Sequence, residues 1–338
     1  MSAIPHIPLW TVNLSSGYRT VAGGQWGDGV RFGVVLPQNA SADLARDVVE
    51  VARTAEESGY DSLWVYERVL FPLAPTDGLY GQPGAAWPDT YRSTADPLTV
   101  LTAAAAVTER VRLGSAVLIA GLHGTHQLAC RLATVDQLSG GRVVAGLGGG
   151  WSSDEFRATG GDFAHRGRAL DETIDGLTAL WGPDPVTYRD SRMRIDNALV
   201  SPKPVGRIPI LLGGGYTAKA ADRIARKADG WLASGLPVPA LLARFAAIRE
   251  RAEGYGRDPA GLSLVALTYP QVTEAAIDGP RAPFQGSLDQ IVDELGGLAA
   301  GGAHEVIFAF GPVGGAELIT RARVLLAAVT AAGLHPRA

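Results

Sequence analysis

The chain has 338 residues, 46% hydrophobic and 19% charged, with 43 glycines, one cysteine and a formal net charge of -4. That length suits one large α/β barrel or two ordinary domains, and the lack of any lysine- or arginine-rich run excludes a nucleic-acid-binding protein. The single cysteine, Cys130, excludes an internal disulfide framework, and the lack of a long apolar run or a charged-then-apolar leader predicts a cytoplasmic protein without membrane contact.

Residues 1–29 show no periodicity and read as an arm, which leaves 30–338 as one domain. Arg31 to Pro37 is a strand. Ala42 to Ser58 is a helix, capped by Ser41 or Asp43, with Leu44, Val48, Val51 and Ala55 on one face and Gly59 at its end. Asp61 to Tyr66 is the second strand. Residues 67–96 form a loop rich in proline, glycine and aromatics; about thirty residues without regular structure inside a compact domain usually carry function. Pro97 opens a helix to Glu109, with Asp96 as its cap. Val111 to Leu118 is the third strand, Thr125 to Leu138 a helix that buries Cys130, and Val143 to Leu147 the fourth strand. That strand stops at Gly148, Gly149 and Gly150, followed by Trp151 as an exposed aromatic and a short acidic helix from Ser153 to Phe156. In the helix from Arg166 to Trp181, residues Leu170, Ile174, Leu177 and Trp181 recur at helical spacing. Residues 182–207 form a polar, proline-marked insertion with hairpin character. Strands then follow at Pro209 to Leu212, Asp229 to Ala233, Leu262 to Tyr269 and His304 to Phe310. Helices follow from Thr217, at Pro239 to Tyr255, Leu288 to Ala300 and Ala316 to Ala332.

Eight uniformly apolar strands alternating with helices predict a (β/α)8 TIM barrel; from periodicity alone the alternative is an open doubly wound sheet. A barrel's active site lies at the C-terminal ends of its strands. Glycine there lets a backbone approach a ligand, which points to Gly149 and Gly150. Gly213, Gly214, Gly215 and Thr217 place backbone amides and a hydroxyl at a helix start, which suits a phosphate; the plain alternative is a tight turn. No GxGxxG follows a strand in the dinucleotide-binding setting, which argues against NAD(P) bound in the usual way. His123 and His126 lie three apart with no further His or Cys nearby, so no metal site is expected.

The stretch ATVDQLSGGRVVAGLGGGWSSDEFRATGGDFAHRGRALDE, beginning at Ala133, resembles the bacterial-luciferase-like flavin and deazaflavin oxidoreductases. The resemblance runs over about residues 31–333 and favours the barrel. SLWVYERVLFP and DPLTVLTAAAAVTERVRLGSAVL look most like the branch that uses the deazaflavin coenzyme F420. The resemblance therefore implies hydride transfer between F420 and a small organic substrate. It implies that Gly213, Gly214 and Thr217 hold the cofactor phosphate and that Gly149, Gly150 and Trp151 touch the cofactor. LGSAV resembles the family's LGTxV, where such members often carry a non-proline cis peptide behind the ring. That bond is expected within Gly114 to Val117, with Ser115 and Ala116 backing the cofactor; the alternative is an ordinary bulged strand.

Tyr66-Glu67-Arg68 falls where many relatives have an acidic residue followed by a proton-handling histidine. Arginine stays protonated and cannot be a general base, although it can hold an anion or stabilise developing negative charge. Glu67 is thus the candidate for proton transfer and Arg68 for charge stabilisation, unless both merely position the long loop. His123 takes the arginine position of the family's xLRHPxxLA and is expected to contact cofactor or substrate, with His126 at the surface. Phe71, Tyr80, Trp87 and Tyr91 would form an apolar lid over the substrate, or simply pack the loop on the barrel. Two other readings stand beside F420: a monooxygenase using reduced FMN and O2, and a flavin-binding protein without turnover. The anionic oligoglutamate tail of F420 discriminates, and Arg68, Arg92 and Lys203 are the cations considered for it. The family is often dimeric, and no stretch here marks a homodimer interface.

Overall fold

The computed structural model describes residues 30–335. The expected arm at 1–29 lies outside the described residues. Eight parallel strands close into a barrel: β1 (Arg31–Val35), β2 (Ser62–Val65), β3 (Arg112–Ser115), β4 (Val143–Gly148), β5 (Ile210–Gly213), β6 (Gly230–Ser234), β7 (Ser263–Thr268) and β8 (Glu305–Phe308). Each pairs with its sequence neighbours, and β8 closes on β1 through Arg31 opposite Glu305 and Val34 opposite Phe308. The helices α1 (Leu44–Ser58), α2 (Pro97–Ala105), α3 (Thr125–Ser139), α4 (Ser153–Thr159), α5 (Arg166–Trp181), α6 (Ala218–Lys227), α7 (Val238–Gly254), α8 (Leu288–Ala300) and α9 (Gly315–Ala331) surround it. The insertion is a hairpin, Val186–Arg189 antiparallel to Arg194–Ala198. Among the described residues no helix is long and apolar enough to cross a membrane.

The barrel interior is filled by Trp64, Val144, Leu211, Leu232, Val265, Leu267 and Ile307, while a larger apolar layer packs the strands against the helices. Trp64 is fully buried, and its size dictates two glycines. A β-carbon on Gly114 would lie 2.4 Å from the indole Cε3, and one on Gly33 would lie 2.7 Å from Nε1. The indole N–H donates to Ser62 Oγ at 2.7 Å and to Glu305 Oε1 at 3.0 Å. Glu305, wholly buried at the barrel floor, also pairs with Arg112. A buried carboxylate needs such partners, because an isolated charge in the core is very costly.

Two elements end earlier than expected. Helix α2 stops at Ala105, where the guanidinium of Arg142 accepts the role of cap: it donates to Ala105 O at 3.2 Å, Thr108 O at 2.8 Å and Val111 O at 2.7 Å. Ala105 O is a carbonyl that the helix end leaves without a partner, and Thr108 O and Val111 O belong to the turn that leads from α2 into β3. Strand β3 stops at Ser115, and a two-residue strand, Leu118–Ile119, rejoins β4. Leu113 to Leu118 is five steps, against four along β4 from Val143 to Leu147, so one extra residue bulges out of the ladder. The bulge holds a non-proline cis peptide, Ala116–Val117, inside the expected window.

Candidate active site

The residues singled out after β2, β3, β4 and β5 gather at the C-terminal mouth of the barrel, covered by residues 67–96. That long segment contains two short 3-10 turns, Leu79–Gly81 and Asp89–Arg92. It is clasped to the start of α4 in both directions. Asp77 Oδ2 accepts from Ser153 N at 2.7 Å and Ser153 Oγ at 2.6 Å, while Asp154 accepts from Thr76 N and Thr76 Oγ1, each at 2.8 Å. The Ser153 bonds hold the Asp77 carboxyl below its ordinary range. Trp87, buried, donates its indole N–H to Asp77 O at 2.9 Å.

The glycines sort into two kinds. A β-carbon on Gly148 or Gly213 would lie 2.6 Å from a Val117 methyl, and one on Gly150 would lie 2.6 Å from Ile119 Cγ2 and 2.9 Å from Phe156. These three are small because protein packs against them. Gly149, Gly214 and Gly215 have nothing within 4 Å of such a carbon, and Gly214 sits at φ +126, where other residues are strained. Only this second set leaves room for a ligand. Thr217 is the N-cap of α6, its hydroxyl accepting from Ala220 N at 3.1 Å. Arg223 lines the cleft with Gly213, Gly214, Gly215 and Tyr216, and Arg244 stacks over Tyr216 with its Cζ 5.1 Å from the ring centroid.

Several expectations change in detail. Trp151 is not an exposed aromatic: its ring lies 4.6 Å from Trp87 and 5.7 Å from Tyr80, so the lid covers it. Ser115 turns its hydroxyl into β4, donating to Gly146 O at 2.9 Å and accepting from Gly146 N at 3.0 Å. Ala116 and Val117 are the half-buried residues of that bulge. Arg68 does not reach over the mouth as a free cation. Its guanidinium sits against Trp151, Tyr91 and Trp87, at 4.8, 5.7 and 5.8 Å, and bonds Glu155 Oε2 at 2.9 Å. Lys203 lies at the opposite end of the barrel, bonded to Leu180 O near the end of α5 and paired with Asp184. Arg92 pairs with Asp89 and stacks on Phe71.

Glu67 is 4% exposed and holds two partners: Oε2 accepts from Ile119 N at 2.6 Å, and Oε1 lies 2.8 Å from His123 Nε2. His126 is exposed on α3. Among the described residues no three His, Cys, Asp or Glu side chains converge as a metal site would require.

Glu155 was not singled out from the sequence as a site residue. Ser152-Ser153-Asp154-Glu155 matches a capping box, and Ser152 Oγ does accept from Glu155 N at 3.3 Å. The Glu155 carboxylate turns away from the cap to Arg68 and to Val69 N, 2.8 Å away. Burial pushes the Glu155 carboxyl up, against the opposing pull of Arg68. The signal was available in principle: an arginine at a buried strand end needs a buried acid, and Glu155 is in the next acidic segment on this face.

A closed parallel barrel with glycine-opened strand ends, a bulge at β3 and a long cover over its mouth defines the bacterial-luciferase type of oxidoreductase fold. The family model for luciferase-like monooxygenases matches residues 30–279, and the chain belongs to that family. It is similar to the Mycobacterium tuberculosis protein Rv0953c, 35% identical over 209 residues, 60% of this chain and 72% of that protein. It is also similar to an FMNH(2)-dependent dimethylsulfone monooxygenase of Pseudomonas fluorescens, 36% identical over 127 residues, 37% of this chain and 35% of that protein. Among solved structures, an F420-dependent secondary alcohol dehydrogenase in complex with an F420-acetone adduct superposes with a TM-score of 0.69 at 17% identity, covering 89% of this chain and 99% of that one.

Proposed function

We propose that the protein is an F420-dependent oxidoreductase that moves a hydride between the deazaflavin and a small organic substrate. The observation that carries the reading is the open trio Gly149, Gly214 and Gly215 with cations beside it. A phosphate would meet the Gly214 and Gly215 amides at the α6 N-terminus. Arg223 lines the same cleft, Arg244 stacks on Tyr216, and Lys219 is exposed in the first turn of α6. Among the described residues neither Lys219 nor Arg244 has a carboxylate within salt-bridge distance, so both remain to meet an anionic tail. The cofactor would supply the hydride chemistry, and the chain would hold it. Ala116 and Val117 would back the ring, and Phe71, Tyr80, Trp87 and Tyr91 would keep water from the substrate.

The second reading, FMN with O2, is supported by the named activity of the Pseudomonas fluorescens relative. Charge reversal separates the two. With Lys219→Glu and Arg244→Glu combined, F420 binding is expected to weaken about tenfold, with FMN binding and binding of the tail-less deazaflavin chromophore little changed. Equal F420 affinity before and after would count against the reading.

A further inference from the structure

Arginine at position 68 cannot give up a proton, and its guanidinium is already engaged by Glu155 and three aromatic faces. Hydride transfer at a carbon bearing oxygen still leaves one proton to be placed. We propose that His123 takes and returns that proton, as the catalytic base and acid of the barrel mouth, with Glu67 as the residue that positions it. The inference rests on the hydride-transfer reading above.

The Glu67 carboxylate is held at both oxygens, by Ile119 N at 2.6 Å and by His123 Nε2 at 2.8 Å. An ionised carboxylate only accepts hydrogen bonds, so the imidazole hydrogen belongs on Nε2. Nδ1 is then a bare acceptor. Among the described residues it has no hydrogen-bond partner, and the His123 side chain is 15% exposed. A carboxylate in this place fixes the tautomer and the ring orientation, and stabilises the positive charge that forms when the other nitrogen takes a proton. The backbone holds the residue from outside as well: His123 O accepts from Arg192 Nη2 at 2.5 Å, a contact made by the inserted hairpin.

The site also gathers charged groups at short range. Glu67 and Glu155 bring two carboxylates, and Arg68 brings one guanidinium. His123 also stands just beyond the Ala116–Val117 bulge, on the segment that leaves Leu118–Ile119.

In the oxidative direction a carbinol substrate loses its C–H hydrogen with the electron pair to the deazaflavin. Its O–H bond breaks, the proton passes to Nδ1, and the C=O bond forms. The substrate is oxidised by two electrons and the cofactor reduced by two. In reverse, Nδ1–H protonates the carbonyl oxygen as the hydride arrives.

The test reads the tautomer directly, by 15N chemical shifts of the imidazole nitrogens in the cofactor-free protein, with His123→Asn used for assignment. The wild type is expected to carry its hydrogen on Nε2, and Glu67→Gln is expected to mix the two tautomers. F420 affinity of His123→Asn is expected to stay within about threefold of wild type, since the residue handles the proton and not the cofactor. A wild-type hydrogen on Nδ1, a tautomer indifferent to Glu67→Gln, or an affinity loss beyond about tenfold in His123→Asn would each overturn the proposal. Failure of the wild type itself to bind F420 would overturn the cofactor reading and this step with it, whatever the tautomer.

Discussion

The side chain of Val117 fills the space that a β-carbon on Gly213 would need, its Cγ1 lying 2.6 Å from that position. Its other methyl does the same to Gly148. The residue after the cis bond thus wedges between the ends of β4 and β5, and the glycines on either side exist to admit it. Gly148→Ala and Gly213→Ala should therefore lose stability by about 1–3 kcal/mol through overpacking. Gly149→Ala and Gly215→Ala, with open space at the new methyl, should unfold within about 0.5 kcal/mol of wild type and lose cofactor affinity instead. Thermal unfolding and F420 titration on the four variants separate the two kinds.

Arg68 and Glu155 form a buried pair, with side-chain exposures of 8% and 3%. Removing one partner strands the other. Arg68→Met should cost about 3–5 kcal/mol, and adding Glu155→Gln to it should recover much of that loss. Denaturant unfolding of the two single variants and the double closes the cycle; strictly additive losses would show that the pair does not couple.

Much of this architecture is legible in the residues. The strands are short apolar runs bounded by glycine, proline or aspartate, and Asp96 caps α2 as its sequence indicates, accepting from Thr99 N at 2.8 Å. What escapes local pattern is set by distant groups. The run AAVTER continues the helical pattern past Ala105, but the helix stops there, where Arg142, far along the chain, donates to Ala105 O and to Thr108 O in the turn beyond. The role of each glycine depends on Val117, Ile119 or Phe156 from another segment, so the motif alone cannot tell a packing glycine from an open one. Arg68 reads as a mouth cation until its partner Glu155 is known, and the spacing alone does not show that His123 lies against Glu67.

The lid clasp should be acid-sensitive. The bonds from Ser153 hold the Asp77 carboxyl below its ordinary value of 3.8, so the clasp is the state of the ionised group. A depressed folded-state value means that its stabilisation is fully present above the unfolded value and disappears as pH falls through the lower, folded one. Limited proteolysis within 67–96 should therefore be slow at neutral pH and accelerate below about pH 4. Asp77→Asn should show the faster cleavage already at neutral pH, while its barrel melts as wild type does.

The proposed function stands on deazaflavin binding at this mouth. The measurement is a side-by-side titration of the purified protein with oxidised F420 and with FMN, followed by quenching of tryptophan fluorescence, for which Trp87 in the lid and Trp151 beneath it are placed to report. Tight binding of F420 with weak binding of FMN is the predicted result. Tight FMN with weak F420 would contradict it and make O2 the co-substrate to pursue.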